Sequence, residues 1–310
     1  MQSSAIPGAR FVDPTVLARI GKLDLLARTV VDGFINGLHR APFFGASIDF
    51  AEHRGYVPGD DIRRVDWKLF ARTDRFYIKQ YEADTNTNFT VLMDVSKSMS
   101  FSSGAPISAA RGPLTKLEYG SYLAACMAYM AQSQRDRVGV ITFDSEIVAH
   151  VPPSAKHFNA MLHTLDRAQP GRKGDFCPPV KKAAEFFKRR GFIAIISDLY
   201  EDPEKIVDAV KPLHHLGNDL LVFHVLDKAE LEFTYTDASR FRDLETDEEL
   251  PIVPESLTPE YRKMMAAHIE ALRARFSENR IDYTVVDTSR PLDEALFRYL
   301  ATREKMSRVR

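Results

Sequence analysis

Cysteine is nearly absent from this chain: Cys126 and Cys177 are the two in 310 residues, too few for a disulfide framework or a cysteine ligand set. A reducing compartment is therefore expected, and the chain reads as cytoplasmic. Long apolar runs are missing too. No stretch approaches the roughly 20 residues that a membrane helix needs, and the opening MQSSAIPGARFVDPT has neither the basic start nor the apolar centre of a signal peptide. Membrane attachment is left to a partner. Nor does one sign of charge prevail: 42 basic residues face 43 acidic ones for a formal charge of −1, which removes any sequence-wide attraction to nucleic acid or an anionic membrane. The C-terminal TREKMSRVR is too short to restore one.

The motifs of common enzymes are absent as well. There is no GxxxxGK[ST] phosphate loop, no GxGxxG after a strand, no HExxH and no GxSxG elbow, so nucleotide hydrolysis, dinucleotide chemistry and the usual hydrolase layouts lack their parts. No internal repeat or Gly/Ser linker occurs, so a flexible join between domains is not expected. What is present is an ordinary globular composition, 45% hydrophobic and 27% charged, sufficient for one large domain or one and a half.

From about residue 88 onward, short apolar runs alternate with longer amphipathic ones, the pattern of strands alternating with helices. Strands are predicted at 89–95, 137–143, 147–151, 192–196, 220–226 and 283–286. Helices are predicted at 117–132, 155–167, 178–190, 203–215, 259–278 and 291–302. Asp144-Ser145 leaves no room for a parallel crossover before 147, so that strand is read as an antiparallel edge. The class is α/β, a doubly wound, mostly parallel sheet with helices on both faces. Residues 228–257 are too long for a simple connection and are read as a hairpin insertion with its turn at 246–249. Residues 88–310 make up this domain, and 1–87 a small α+β extension. In that extension Asp13-Pro14 starts a short helix ended by Gly21, and Leu23, Leu26, Ala27, Val30 and Phe34 mark a second helix. Pro58-Gly59 turns the chain into a helix at 63–71, with Val65, Leu69 and Trp67 inward, and a strand follows at 76–81.

The chemistry concentrates where the first sheet strand ends, at Asp94, Ser96 and Ser98. Loops beyond the carboxyl ends of parallel strands form the ligand crevice, and one carboxylate with two hydroxyls suits a hard, oxygen-seeking ion such as Mg²⁺ or Mn²⁺. The same residues also serve to cap a turn. Asp198, which ends the strand at 192–196 as Asp94 ends the first, favours the ion. Glu201 and Asp202 add negative charge nearby. An alternative makes Asp94 the phosphoryl acceptor of a metal-dependent phosphoryl-transfer enzyme or a receiver-like switch. A dehalogenase-type phosphatase wants an acid where Ser96 stands, and a receiver wants a paired acid and a late lysine that the sequence does not display. His214-His215 have no third ligand in register and suit a helix end. Lys188, Arg189 and Arg190 read as a solvated basic helix end.

The Asp-x-Ser-x-Ser cluster resembles the metal-ion-dependent adhesion site of von Willebrand factor A domains. A second pattern, RxYxPGDDxRxVDWxxxAR, is carried by Arg54, Tyr56, Gly59, Asp60, Asp61, Arg63, Asp66, Trp67 and Arg72. It resembles the hallmark of a widespread bacterial family, domain of unknown function 58, which joins such a block to a von Willebrand A-like domain. The resemblance implies a non-enzymatic interaction module in which a partner's carboxylate completes the metal shell. It also implies a MoxR-type AAA+ ATPase as partner, supplying the work while this chain recognises a client. The family's usual loop threonine is replaced here, since GRKGDFC puts Gly174 at its place with Asp175 next, so Asp175 joins Asp94, Ser96, Ser98 and Asp198 as a candidate ligand. The Arg and Asp residues of the upstream block are read as a docking clasp of bidentate pairs rather than as catalysts.

Overall fold

The computed structural model of the chain describes residues 22–40, 52–55, 75, 77–80, 87–104, 112–235, 239–242, 249–252 and 254–309. The first elements are α1 (Leu23–Arg40), β1 (Glu52–Gly55), β2 (Tyr77–Gln80), β3 (Asn88–Asp94), α2 (Lys116–Ser133), β4 (Arg137–Phe143), β5 (Ile147–Ser154) and α3 (Phe158–Asp166). There follow α4 (Cys177–Ala183), β6 (Gly191–Ser197), α5 (Pro203–His215), β7 (Asp219–Leu226), α6 (Lys228–Glu232), β8 (Ser239–Arg242), β9 (Glu249–Ile252), α7 (Pro254–Glu278), β10 (Asp282–Asp287) and α8 (Asp293–Val309).

Six strands form the central sheet in the order β10-β7-β6-β3-β4-β5. All pairs are parallel except β4 with β5, where Ile141 faces His150 in antiparallel register. The chain therefore starts in the middle with β3, winds outward to β5, and returns to wind the other way through β6, β7 and β10. The reversal lies between β3 and β6, and there the sheet opens a crevice beyond its carboxyl ends.

Burial on both faces explains why the strands read as unbroken apolar runs. Phe89, Val91 and Met93 of β3 point with Phe223 and Val225 of β7 into a core shared with α1, α2, α3 and α8, whereas Leu92, Ile193, Ile195 and Val222 face α4, α5 and α7. Helix α1, assigned from sequence to the N-terminal extension, buries Leu23, Leu26, Ala27, Val30 and Val31 in the first of these cores. Close approach sets one glycine: a Cβ on Gly191 would lie 2.3 Å from the Asn88 carbonyl oxygen, so the start of β6 admits no side chain beside β3.

Several boundaries differ from the sequence reading. The helix expected over 178–190 ends at Ala183 and tightens into a 3₁₀ turn through Phe186; Phe187 leaves helical backbone, and 187–190 carry the chain to β6. Helix α7 begins at Pro254 rather than 259 and contains Pro259. A proline so near a helix start forfeits a single early backbone bond, and periodicity alone reads it as the first turn. Helix α8 runs on to Val309. The 228–257 insertion opens with the unexpected α6, capped reciprocally by Asp227 and Glu230, and then pairs β8 with β9 antiparallel, Ser239 opposite Ile252. Of the turn expected at 246–249, Glu249 starts β9 and the rest lies outside the described residues.

Upstream, β1 and β2 pair antiparallel, Arg54 opposite Ile78, on either side of the Arg/Asp block. The block beyond Arg54, with Trp67 and the predicted helix at 63–71, lies outside the described residues, as does the helix expected between Asp13 and Gly21. No described helix is long and apolar enough to cross a membrane.

Candidate functional site

Strand β3 carries Asp94 to the crevice floor, where it is 5% exposed. Directly after it the chain turns: the Ser96 amide donates to Asp94 Oδ1 at 2.8 Å, and the Ser96 and Ser98 hydroxyls lie 3.0 Å apart. A short 3₁₀ turn over Lys97–Ser100 holds this geometry. From β6 the Ser197 hydroxyl donates to Asp94 Oδ2 at 2.6 Å. Asp198 follows, 3% exposed. Leu199 then adopts φ 48°, a left-handed backbone that a branched side chain seldom takes unless its surroundings impose it. Two bonds impose it: the Leu199 amide donates to Ser197 Oγ at 3.2 Å, and His268 Nε2 of α7 donates to the Leu199 carbonyl at 2.9 Å. The structure therefore brings Asp94, Ser96 and Ser98 together and sets Asp198 at the neighbouring strand end.

The loop that carries the expected threonine position docks beside them. Gly171 donates from its amide to the Val95 carbonyl at 2.6 Å, and the Lys97 amide donates to the Arg172 carbonyl at 3.1 Å. A Cβ on Gly171 would stand 2.5 Å from Asp144 Oδ2, so a side chain here would displace the Asp144 carboxylate. Asp175 is placed farther along, exposed on the wall of an adjoining cleft of about 520 Å³ shared with Ser145, Arg172, Glu201, Asp202 and Lys205. Glu201 accepts from the Phe176 amide and, at 3.0 Å, from the Cys177 thiol. Asp202 caps α5 through the Glu204 amide at 2.9 Å. Both acids serve local structure. His214, the other histidine pair member at the α5 end, lies 3.2 Å from the Asn218 carbonyl through Nδ1.

Sequence reasoning missed the partner that dominates the electrostatics. Lys116, in the first turn of α2, is fully buried, and its Nζ donates to Asp198 Oδ2 at 2.8 Å and to Glu230 Oε1 at 2.7 Å. Burial works to lower the ammonium's pKa, but Asp198 and Glu230 prevail and hold it above the ordinary lysine range. Burial, with Asp198 next in weight, pushes the Asp94 carboxyl up to about 7 against the bonds from Ser197 and Ser96. Burial also raises Glu230, against Lys116. Among the described residues, the Asp198 and Glu230 carboxylates share the one Lys116 ammonium. One signal was available in the sequence: the T-x-x-E box of Thr115 and Glu118 puts Lys116 at a helix start, hence at the sheet's ligand edge. Nothing local marked Ser197, and the Asp227-x-x-Glu230 spacing marks Glu230 as a helix cap and not as a partner of Lys116.

Among the described residues, no three His, Cys, Asp or Glu side chains gather into a metal cluster. Any ion here depends on serine hydroxyls beside the two aspartates.

Residues 52–273 match the family model described as "Protein of unknown function DUF58". The chain belongs to the DUF58 family. Uncharacterized proteins of Mycobacterium bovis and Mycobacterium tuberculosis are each 26% identical to it over 265 residues, covering 83% of this chain and 80% of the relative. Among solved structures, BatB from Bacteroides thetaiotaomicron has a TM-score of 0.44 at 15% identity, covering 70% of this chain and 99% of its own. The VWA domain of SpRpn10 has a TM-score of 0.39 at 12% identity, covering 68% of this chain and 94% of its own. Likenesses this distant carry no argument by themselves. The strand order does: this DUF58 protein has a von Willebrand A-like sheet with β3 central, an antiparallel edge at β5 and its crevice between β3 and β6.

Proposed function

We propose that this DUF58 protein is a cytoplasmic, non-enzymatic adaptor whose crevice holds Mg²⁺ or Mn²⁺ at Asp94, Ser96, Ser98 and Asp198. The observation that carries the reading is the burial of two aspartates at adjacent strand ends, beside paired serine hydroxyls, with Lys116 the cation that meets Asp198 and Glu230 among the described residues. Among the described residues that ammonium offsets one of the three carboxylate charges when all are ionised, and a hard divalent cation with oxygen ligands fits what is left at this buried site. Asp175, on the wall of the adjoining cleft, adds negative charge to the approach. Bound, the ion would offer an open coordination position to a partner's carboxylate. Asp94 itself is poorly placed as a phosphoryl acceptor, since both its oxygens already accept bonds, from Ser96 and Ser197, at the buried floor. The family resemblance supplies the partner class, a MoxR-type AAA+ ATPase that acts while this chain recognises a client. Of residues 1–87, α1 belongs to the sheet domain's core; the rest serves in this reading as docking extension to the sheet domain at 88–310, with 228–257 inserted in the latter.

The test pairs calorimetry with partner capture on the Ser96→Ala/Ser98→Ala double variant, which removes two hydroxyls and leaves charge and apolar core unchanged. Wild type takes up Mg²⁺ or Mn²⁺ and retains an AAA+ ATPase from source-cell extract, and the folded double variant loses both. No ion uptake by wild type, with the ATPase absent and again present, overturns the metal. Equal recovery of the ATPase by both proteins moves the interface away from the crevice.

A further inference from the structure

Lys116 is held more firmly than a lysine needs to be for charge balance alone. Its backbone is fixed at the α2 start by the Thr115–Glu118 box and by a 3.2 Å bond from its amide to the Phe101 carbonyl. Its ammonium has one carboxylate on either side, Asp198 at 2.8 Å and Glu230 at 2.7 Å, and it lies 4.9 Å from the centre of the Tyr200 ring. Such an ammonium occupies one oxygen of a proposed ion ligand. Resting on the metal reading above, we infer that Lys116 is a resident cation that sets the crevice's ion affinity, and that Glu230 tunes it by sharing the ammonium with Asp198.

The direction follows from Coulomb's law. A positive charge within a few ångströms of a divalent ion opposes its entry, and the effect is strong where water is excluded. Lys116 also neutralises the oxygen of Asp198 that would otherwise attract the ion. Glu230 acts the other way: its carboxylate draws the ammonium towards α6 and adds negative charge within reach of the crevice. Removing the lysine charge therefore tightens ion binding, whereas removing the Glu230 charge leaves Asp198 as the sole carboxylate partner of Lys116 and loosens it. The Lys116 bridge explains how a metal-free chain keeps Asp198 buried, and it ties the insertion, which begins with α6, to the crevice.

Titration calorimetry with Mn²⁺ on the full chain, and on Lys116→Met and Glu230→Gln, tests this. Lys116→Met binds Mn²⁺ roughly tenfold tighter or more, and Glu230→Gln binds it several-fold more weakly. A purely structural lysine predicts the same sign for both, since either substitution breaks the one bridge. If Lys116→Met fails to fold, Lys116→Met/Glu230→Gln removes the whole pair and still binds more tightly than wild type. Loosening by both single variants, or no change in either, overturns the role of Lys116 and leaves the metal reading standing. Absence of Mn²⁺ binding in wild type and every variant overturns both.

Discussion

The Ser197 hydroxyl donates to Asp94 Oδ2 at 2.6 Å, so the ends of β3 and β6 are joined by a side chain just where the sheet reverses direction. The bond fixes the Asp94 carboxylate in one orientation. The Ser96 amide on Oδ1 holds the other oxygen, at 2.8 Å.

Asp94→Asn keeps that shape and removes the charge. The folded carboxyl titrates near 7, against an ordinary 3.8, chiefly because it is buried. A carboxyl raised on folding binds its proton more tightly in the native state, so its contribution is fully present below about pH 4 and is lost as the pH rises through about 7. The metal-free wild type is therefore expected to lose stability from this group between pH 4 and 7. Urea unfolding in chelator should show Asp94→Asn more stable than wild type at pH 8 and close to it at pH 4. On the metal reading, Mg²⁺ should stabilise wild type, as a ligand of the folded state does, and leave the variant unmoved. A variant less stable than wild type at pH 8 would show that the carboxylate is fully compensated without an ion.

How much of this was legible in the sequence depended on distance along the chain. The strands were, because burial on both faces leaves them as continuous apolar runs. The Asp94, Ser96 and Ser98 cluster was too, because its members stand within five residues of one another. Lys116 was not: its partners Asp198 and Glu230 are 82 and 114 residues away, and a lysine in a first helical turn ordinarily points to solvent. Glu230 sat in an insertion whose pattern resembled a plain hairpin. Pro259 showed the reverse failure, a local signal read too literally, since packing of α7 against the sheet outweighs one lost backbone bond.

His224 supplies a second pH dependence of opposite sign. It is fully buried on β7, with Nδ1 2.6 Å from the Tyr283 hydroxyl and its ring 5.9 Å from that of His268. Burial first, then His268, lowers its pKa from 6.5 to about 3. A bond with the Asp198 backbone works the other way, and Lys116 adds a smaller push downward. The unfolded chain therefore takes up a proton below about 6.5 that the folded chain refuses, so stability present above that pH is lost as it falls towards 3, at up to about 1.4 kcal/mol per pH unit. His224→Gln removes this group while Asp94 contributes equally to both proteins. The difference in unfolding free energy, wild type minus variant, should be constant above pH 7 and fall steadily from 6.5 to 4; a flat difference would mean that the histidine charges in place.

The far end of the sheet is closed by Arg303 and Asp136. Arg303 donates to Asp136 and, at 2.9 Å, to the Tyr299 hydroxyl, and the other Asp136 oxygen accepts the Thr87 amide at 3.0 Å. The pair binds α8 to the turn before β4 and to the residue before β3, and its side chains are 11% and 0% exposed. Arg303→Ala takes the guanidinium away from the buried Asp136 carboxylate, a loss of about 3–5 kcal/mol for a broken buried pair. Arg303→Ala/Asp136→Asn should recover part of that, since the stranded charge goes too. Neither variant touches the crevice, so Mn²⁺ affinity measured on the folded proteins should equal that of wild type. A loss under 1 kcal/mol for Arg303→Ala would mean that water reaches Asp136 and that α8 is held by its apolar face alone, through Leu296 and Tyr299.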